Sequence, residues 1–103
     1  MPEQDLKPRL DRLAKPKAER PKLWKVILLN DDYTPREFVT IILMSVFRMD
    51  EARAQAVMLV AHQKGACVVA VYTREVAETK ASEAMEKAKE FGFPLAFSTE
   101  PED

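Results

Sequence analysis

Short apolar segments alternate with longer amphipathic segments along this chain. Residues 24–29 are largely apolar and partly β-branched, and because this segment is too short for a stable helix it predicts a mostly buried strand. Residues 67–72 are rich in β-forming side chains and predict a central strand. Residues 95–99 predict a last strand, and residues 101–103 a short tail.

The first helix is predicted directly after a polar turn at residues 30–35. Thr34, Pro35 and Glu37 match a capping box, with Thr34 as the N-cap and Pro35 in the first helical position. Helical spacing then assigns one buried face to this helix, formed by Phe38, Ile41, Ile42, Ser45 and Val46.

Two further helices have clear ends. Asp50 can cap the second helix and Gly65 can end it. Thr73 can cap a third helix over residues 74–91, which Gly92 and Pro94 would end. The resulting order, β-α-α-β-α-β, predicts an α+β domain in which three helices pack on a three-stranded antiparallel sheet.

Charge divides the chain into two parts. Residues 1–25 contain eight basic and four acidic residues, although the whole chain has a net charge of −1. Four of the seven prolines also lie in this region. Such a segment cannot bury enough apolar surface to offset its loss of entropy on ordering, which predicts a disordered basic extension at residues 1–22 and a folded domain at residues 23–103.

Composition excludes several classes of protein. The balance of charges argues against nucleic-acid binding, and no apolar run approaches the ~20 residues that span a bilayer. A single cysteine, without a signal-peptide pattern, predicts an intracellular domain. Cys67 as a nucleophile would need His62 beside it, and Asp31, Asp32 and His62 lack the close spacing of metal ligands. We therefore expect neither an enzyme nor a metal or cofactor, although a small metal-binding or hydrolytic domain stays as an alternative.

Candidate chemistry concentrates at the turn after the first strand. Asn30, Asp31, Asp32 and Thr34 offer hydrogen-bond acceptors there, and His62 could add a ring nitrogen if its helix packs nearby. Acceptors with negative charge suit an ammonium group. Four apolar residues could line a pocket beside them: Val39, Met58, Ala61 and Leu95. The simpler interpretation is a turn with helix caps beside a surface histidine, and periodicity alone favours it.

Several longer motifs resemble the ClpS family of Clp-protease adaptors. They are KVILLNDDYTP at residues 25–35, EFV at 37–39, MLVAH at 58–62, VYTREVAETK at 71–80, PL at 94–95 and TE at 99–100. They occur in the family's order and spacing, and the resemblance covers about residues 22–101. This resemblance implies an adaptor that binds proteins beginning with Leu, Phe, Tyr or Trp and delivers them to the unfoldase ClpA or ClpC, which feeds the peptidase ClpP.

The resemblance also implies a role for each matching residue. Asn30, Asp31 and His62 would contact the substrate α-amine. Asp32, Thr34 and Arg36 would form or support the pocket mouth, and the four apolar residues named above would line the pocket. Glu75 and Lys80 would dock on the N-terminal domain of the unfoldase. The family's extension, which the unfoldase engages during delivery, corresponds to residues 1–22.

Three positions depart from the family pattern. Arg36 replaces a methionine that guards the pocket, Ala61 replaces a frequent valine, and Ala70 replaces a glycine. These departures predict a paralogue with an altered preference among N-terminal residues. We expect a monomer in the bacterial cytoplasm rather than in the plastid stroma. The alternative function is a modulator that docks on the unfoldase and inhibits it without delivering substrates.

Overall fold

The computed structural model describes residues 21–103, so the predicted extension lies outside the described residues except for its last two positions. The elements along the chain are β1 (Leu23–Leu29), α1 (Arg36–Ser45), α2 (Glu51–Lys64), β2 (Ala66–Thr73), α3 (Arg74–Glu90) and β3 (Ala96–Pro101). This β-α-α-β-α-β order confirms the predicted architecture.

The sheet is antiparallel and has the order β2-β1-β3. The prediction of β2 as the central strand is therefore wrong, because β-forming composition indicates a pleated segment without indicating its place in the sheet. β2 is an edge strand, in which Val69 is buried while Val68 and Val71 are exposed. Pro101, predicted as tail, belongs to the other edge strand, where a proline is tolerated.

The predicted capping box at the start of α1 is also wrong. Pro35 is the N-cap residue, and no side chain accepts a hydrogen bond from the first turn of the helix. Thr34 lies one position before this N-cap, and its hydroxyl donates to Oδ2 of Asp31 within the turn. Thr34 therefore closes the turn that precedes the helix.

The buried face of α1 is displaced from the predicted one. Ile42 and Val46 are buried as predicted, whereas Ile41 and Ser45 are exposed. Val39 and Leu43 take their places in the core, which gives the helical spacing 39, 42, 43, 46.

The ends of α2 match the prediction. Asp50 caps the helix by accepting a hydrogen bond from the Arg53 backbone N–H at 2.8 Å. Gly65 ends it in the left-handed conformation, with φ at 92°, and its N–H donates to the Ala61 carbonyl oxygen at 2.8 Å. α3 has Thr73 at its N-cap position without a side-chain cap bond.

The core lies between the sheet and the three helices. Its largest fully buried side chains are Leu28, Leu43, Val26, Val46 and Val69. α3 contributes four alanines, and their small side chains allow the helix to approach the sheet closely. Within residues 21–103, no helix is both long and apolar enough to cross a membrane.

Candidate functional site

A cavity of about 320 Å³ opens where β1 ends, between the following turn, the start of α1 and the second half of α2. The structure brings ten of the predicted site residues together around it: Asn30, Asp31, Asp32, Thr34, Arg36, Val39, Met58, Ala61, His62 and Leu95. They come from segments far apart in the chain, so the fold itself assembles the site.

The interior of the cavity is apolar. Val39, Ala61 and Leu95 are all buried, and Met58 is half-buried at the side. Ala61 faces the cavity with a single methyl group, which leaves space that a larger side chain would fill. The cavity can therefore take an apolar group of the size of a side chain.

Three cavity residues were not predicted: Leu28, Leu29 and Pro35. Leu28 and Leu29 are the last residues of β1, and Pro35 directly precedes α1. Their position next to the polar turn in the sequence could have indicated them, because residues that adjoin a turn lie close to the site that the turn borders.

Hydrogen bonds hold the turn in a defined conformation. Asp31 accepts one from the Tyr33 backbone N–H at 2.8 Å through Oδ1, and one from the Thr34 hydroxyl through Oδ2. The Asn30 backbone N–H donates to the Gly65 carbonyl oxygen at 2.9 Å, which ties the turn to the end of α2. The polar rim and the helix that carries His62 are thereby fixed relative to each other.

Arg36 and His62 meet across the mouth of the cavity. The distance between Nη2 of Arg36 and Nε2 of His62 is 3.1 Å. An arginine guanidinium can only donate, so Nε2 of His62 is the acceptor in this hydrogen bond.

The rim keeps unused capacity to accept hydrogen bonds. An ionised carboxylate has about four acceptor sites, and only two of those on Asp31 are occupied. None of the side-chain hydrogen bonds among residues 21–103 involves the Asn30 amide, and Asp32 is exposed. Acceptors and negative charge above an apolar interior match a ligand with a cationic donor on an apolar body.

The catalytic and metal alternatives gain no support from this geometry. Cys67 lies on β2 and does not line the cavity that contains His62. Burial raises the pKa of the Cys67 thiol, although the Arg53 guanidinium partly opposes this, so the reactive thiolate is disfavoured. Within residues 21–103, no group of three or more His, Cys, Asp or Glu side chains is arranged to hold a metal ion.

Glu75 and Lys80 lie on α3, outside the cavity. Glu75 is exposed beside a shallow groove with other acidic residues of the same helix. Lys80 is half-buried, and its Nζ donates to the Val46 carbonyl oxygen at 3.0 Å. This bond satisfies a carbonyl at the C-terminal end of α1 and joins the two helices.

Comparisons with known proteins agree on one family. The family model described as ATP-dependent Clp protease adaptor protein ClpS matches residues 19–98. The chain is 60% identical to ATP-dependent Clp protease adapter protein ClpS 1 of Rhodopseudomonas palustris, over 96% of each chain. It is 61% identical to ClpS 2 of Agrobacterium fabrum, over 96% of this chain and 94% of the relative.

A solved structure with the same fold contains a ligand. It is Agrobacterium tumefaciens ClpS2 bound to L-phenylalaninamide, which is 63% identical and superposes with a TM-score of 0.79. The match covers 81% of this chain and 100% of that one. The family match, the sequence identities and the shared fold lead to the same conclusion: this chain belongs to the ClpS family of ATP-dependent Clp protease adaptor proteins.

Proposed function

We propose that this adaptor binds proteins through a free N-terminal Leu, Phe, Tyr or Trp and delivers them to ClpA or ClpC for degradation by ClpP. The observation that carries the proposal is the apolar cavity with an acceptor-rich rim. The ligand of the Agrobacterium relative has the matching chemistry, because phenylalaninamide combines a free α-amine with an aromatic side chain. Its amide replaces the carboxylate, as the next peptide bond does at the start of a protein.

The α-ammonium group would bind at the rim. It has three donors and one positive charge, and the Asn30 side-chain oxygen and the Asp31 carboxylate can accept from it. His62 is the third residue assigned to the amine, and it can accept through Nε2 only when Arg36 turns away. Hydrogen bonds to charged groups are roughly twice as strong as neutral ones, so these contacts distinguish a free N-terminus from an internal segment.

The first side chain would enter the apolar interior between Val39, Met58 and Leu95. Burying a side chain such as Leu or Phe contributes about 1.5–3 kcal/mol. The interior therefore selects large apolar residues, while the rim selects the start of a chain. Neither part alone defines the substrate class.

Delivery would use surfaces outside the cavity. Glu75 is exposed at the start of α3 and is proposed to contact the N-terminal domain of the unfoldase, as is Lys80 further along the same helix. Residues 1–22 are proposed to be engaged during transfer. We place this activity in the bacterial cytoplasm, where the ATP-dependent protease would have ATP.

The competing function is an inhibitor that docks on the unfoldase without delivering substrates, and the shared docking helix makes it a real alternative. A reconstituted degradation assay with a Phe-initiated reporter distinguishes the two. The variant combines Asn30→Ala with Asp31→Ala, and the matched control combines Gln63→Ala with Glu90→Ala, which are exposed residues outside the cavity.

An adaptor loses degradation of the Phe-initiated reporter in the double variant and keeps it in the control. An inhibitor slows degradation of other substrates equally in both variants, and even the unchanged protein fails to accelerate degradation of the reporter. The second pattern would refute the proposed delivery. Melting curves of both variants establish that each is folded.

A further inference from the structure

Arg36 occupies an unusual place for a cation. It is the first residue of α1, its side chain is exposed, and it lines the cavity whose rim would receive a positively charged ammonium. Its Nη2 lies 3.1 Å from Nε2 of His62, so one hydrogen bond spans the mouth from α1 to α2. A guanidinium has five N–H donors in a rigid plane and stays charged, so most of its donors are available.

This bond restricts what His62 can do. A neutral imidazole has one acceptor nitrogen, and here that nitrogen is occupied by Arg36. A substrate ammonium cannot use the same lone pair while Arg36 stays in place, and two adjacent cations repel each other. With Arg36 in position, the ammonium is left to Asn30 and Asp31, and His62 serves to hold the guanidinium.

The position of Arg36 decides what the guanidinium can reach. Once the first side chain fills the cavity and the amine lies at the rim, the rest of the peptide must leave through the mouth. Arg36 and His62 border that mouth from two different helices. The first groups to pass them are the carbonyl of residue one and the side chain of residue two.

The charges around the mouth favour one kind of second residue. Asp31 and Asp32 are the acidic side chains among the described residues that line this cavity, and the bound ammonium would compensate Asp31. Arg36 is the one side chain with a permanent positive charge among those residues. A carboxylate can accept two parallel hydrogen bonds from a guanidinium, which a neutral amide does less well. Asp32 opposes such a carboxylate, so the contribution of Arg36 must be measured as a difference between variants.

We propose that Arg36 is a specificity-determining residue that recognises an acidic side chain at the second position of the bound protein, and that His62 is its positioning residue. This inference rests on the proposed function, because it requires a free N-terminus in the cavity. It narrows the substrate class to chains with a large apolar first residue and Asp or Glu second.

The test compares two peptides that differ only in residue two, Phe-Glu and Phe-Gln, each with a free and an acetylated amine. Fluorescence anisotropy gives the ratio of the Kd of Phe-Gln to that of Phe-Glu. We expect this ratio to fall by about threefold in Arg36→Gln, the size typical of a partly exposed ion pair. Arg36→Lys, which keeps the charge without the planar fork, should retain part of the ratio. Arg53→Gln, an exposed arginine outside the cavity, is the control and should not change it.

His62 provides a second readout. His62→Ala should lower the ratio of the Kd of Phe-Gln to that of Phe-Glu, and His62→Gln, which keeps an acceptor, should retain part of it.

Equal ratios in the unchanged protein and Arg36→Gln would overturn the role of Arg36. If His62→Ala weakens both peptides alike, the histidine binds the amine and its positioning role is wrong. If free and acetylated peptides bind equally, the proposed function fails and this inference fails with it. If the free amine is strongly preferred but Arg36→Gln leaves the ratio unchanged, only this inference fails.

Discussion

The hydrogen bond between Thr34 and Asp31 should support both the stability of the turn and ligand binding. Thr34 is 6% exposed, and its hydroxyl donates to the carboxylate that is proposed to bind the amine. Thr34→Val keeps the shape of the side chain and removes the donor. The perturbation therefore tests the bond without creating a cavity.

The expected loss of stability follows from the type of hydrogen bond that is removed. Hydrogen bonds to charged groups contribute about 1.5–3 kcal/mol. Asp31 is only half-buried, so we expect the lower end, about 1.5 kcal/mol of the free energy of unfolding. For a domain of this size, that corresponds to a fall in Tm of roughly 6–12 °C. Affinity for a Phe-initiated peptide should fall as well, because Asp31 loses one of the two donors that orient it.

Thermal melting followed by circular dichroism measures the stability, and anisotropy measures the binding. Thr34→Ser keeps the hydroxyl and should retain peptide affinity. Glu37→Ala removes the other half of the predicted capping box. Because Glu37 is exposed, the free energy of unfolding should change by no more than about 0.5 kcal/mol. An unchanged Tm in Thr34→Val, or an equal loss in Glu37→Ala, would refute this description of the turn.

Three further changes test other parts of the structure. Met58→Ala should weaken the binding of a Phe- or Leu-initiated peptide several-fold more than that of an Ala-initiated peptide. Leu59→Ala should not, because Leu59 is exposed outside the cavity. Equal effects of Met58→Ala on all three peptides would exclude Met58 from the pocket. Lys80→Met should lower the free energy of unfolding in urea by about 1 kcal/mol, because the Val46 carbonyl loses its donor, whereas the exposed Lys87→Met should leave it unchanged. Alkylation of Cys67 at about pH 8 should be slower in the folded protein than in the unfolded chain, because burial raises the pKa of the thiol. The free energy of unfolding should fall as the pH rises above the ordinary thiol pKa, because the unfolded chain loses this proton first. Faster labelling of the folded protein would contradict this.

Local signals predicted the elements of the fold well. Asp50 and Gly65 act on their own helix ends through the cap groups that they carry, so the bounds of α2 follow from residues within a few positions of them. The place of β2 in the sheet depends on which strands pair across the whole domain, and no property of residues 67–72 contains that information. The role of Thr34 was missed because its hydroxyl could accept from a helix N–H or donate to the Asp31 carboxylate, and the shape of the turn decides which bond forms.

The candidate site shows the same division. The polar turn at residues 30–35 identified the acceptors, but its contact with residues 58–62 and Leu95 followed from the family resemblance rather than from periodicity. The bond between Arg36 and His62 joins residues 26 positions apart, and neither residue indicates it alone. Long-range packing decides such contacts, and the structure is needed to find them.

The most direct test of the adaptor's proposed function is the affinity of one Phe-initiated peptide with a free amine and with an acetylated amine, measured side by side by fluorescence anisotropy. Acetylation removes the charge and all but one of the donors that would pair with Asn30 and Asp31, so binding should weaken at least about tenfold. Equal affinity of the two peptides would contradict recognition of the N-terminus at this cavity.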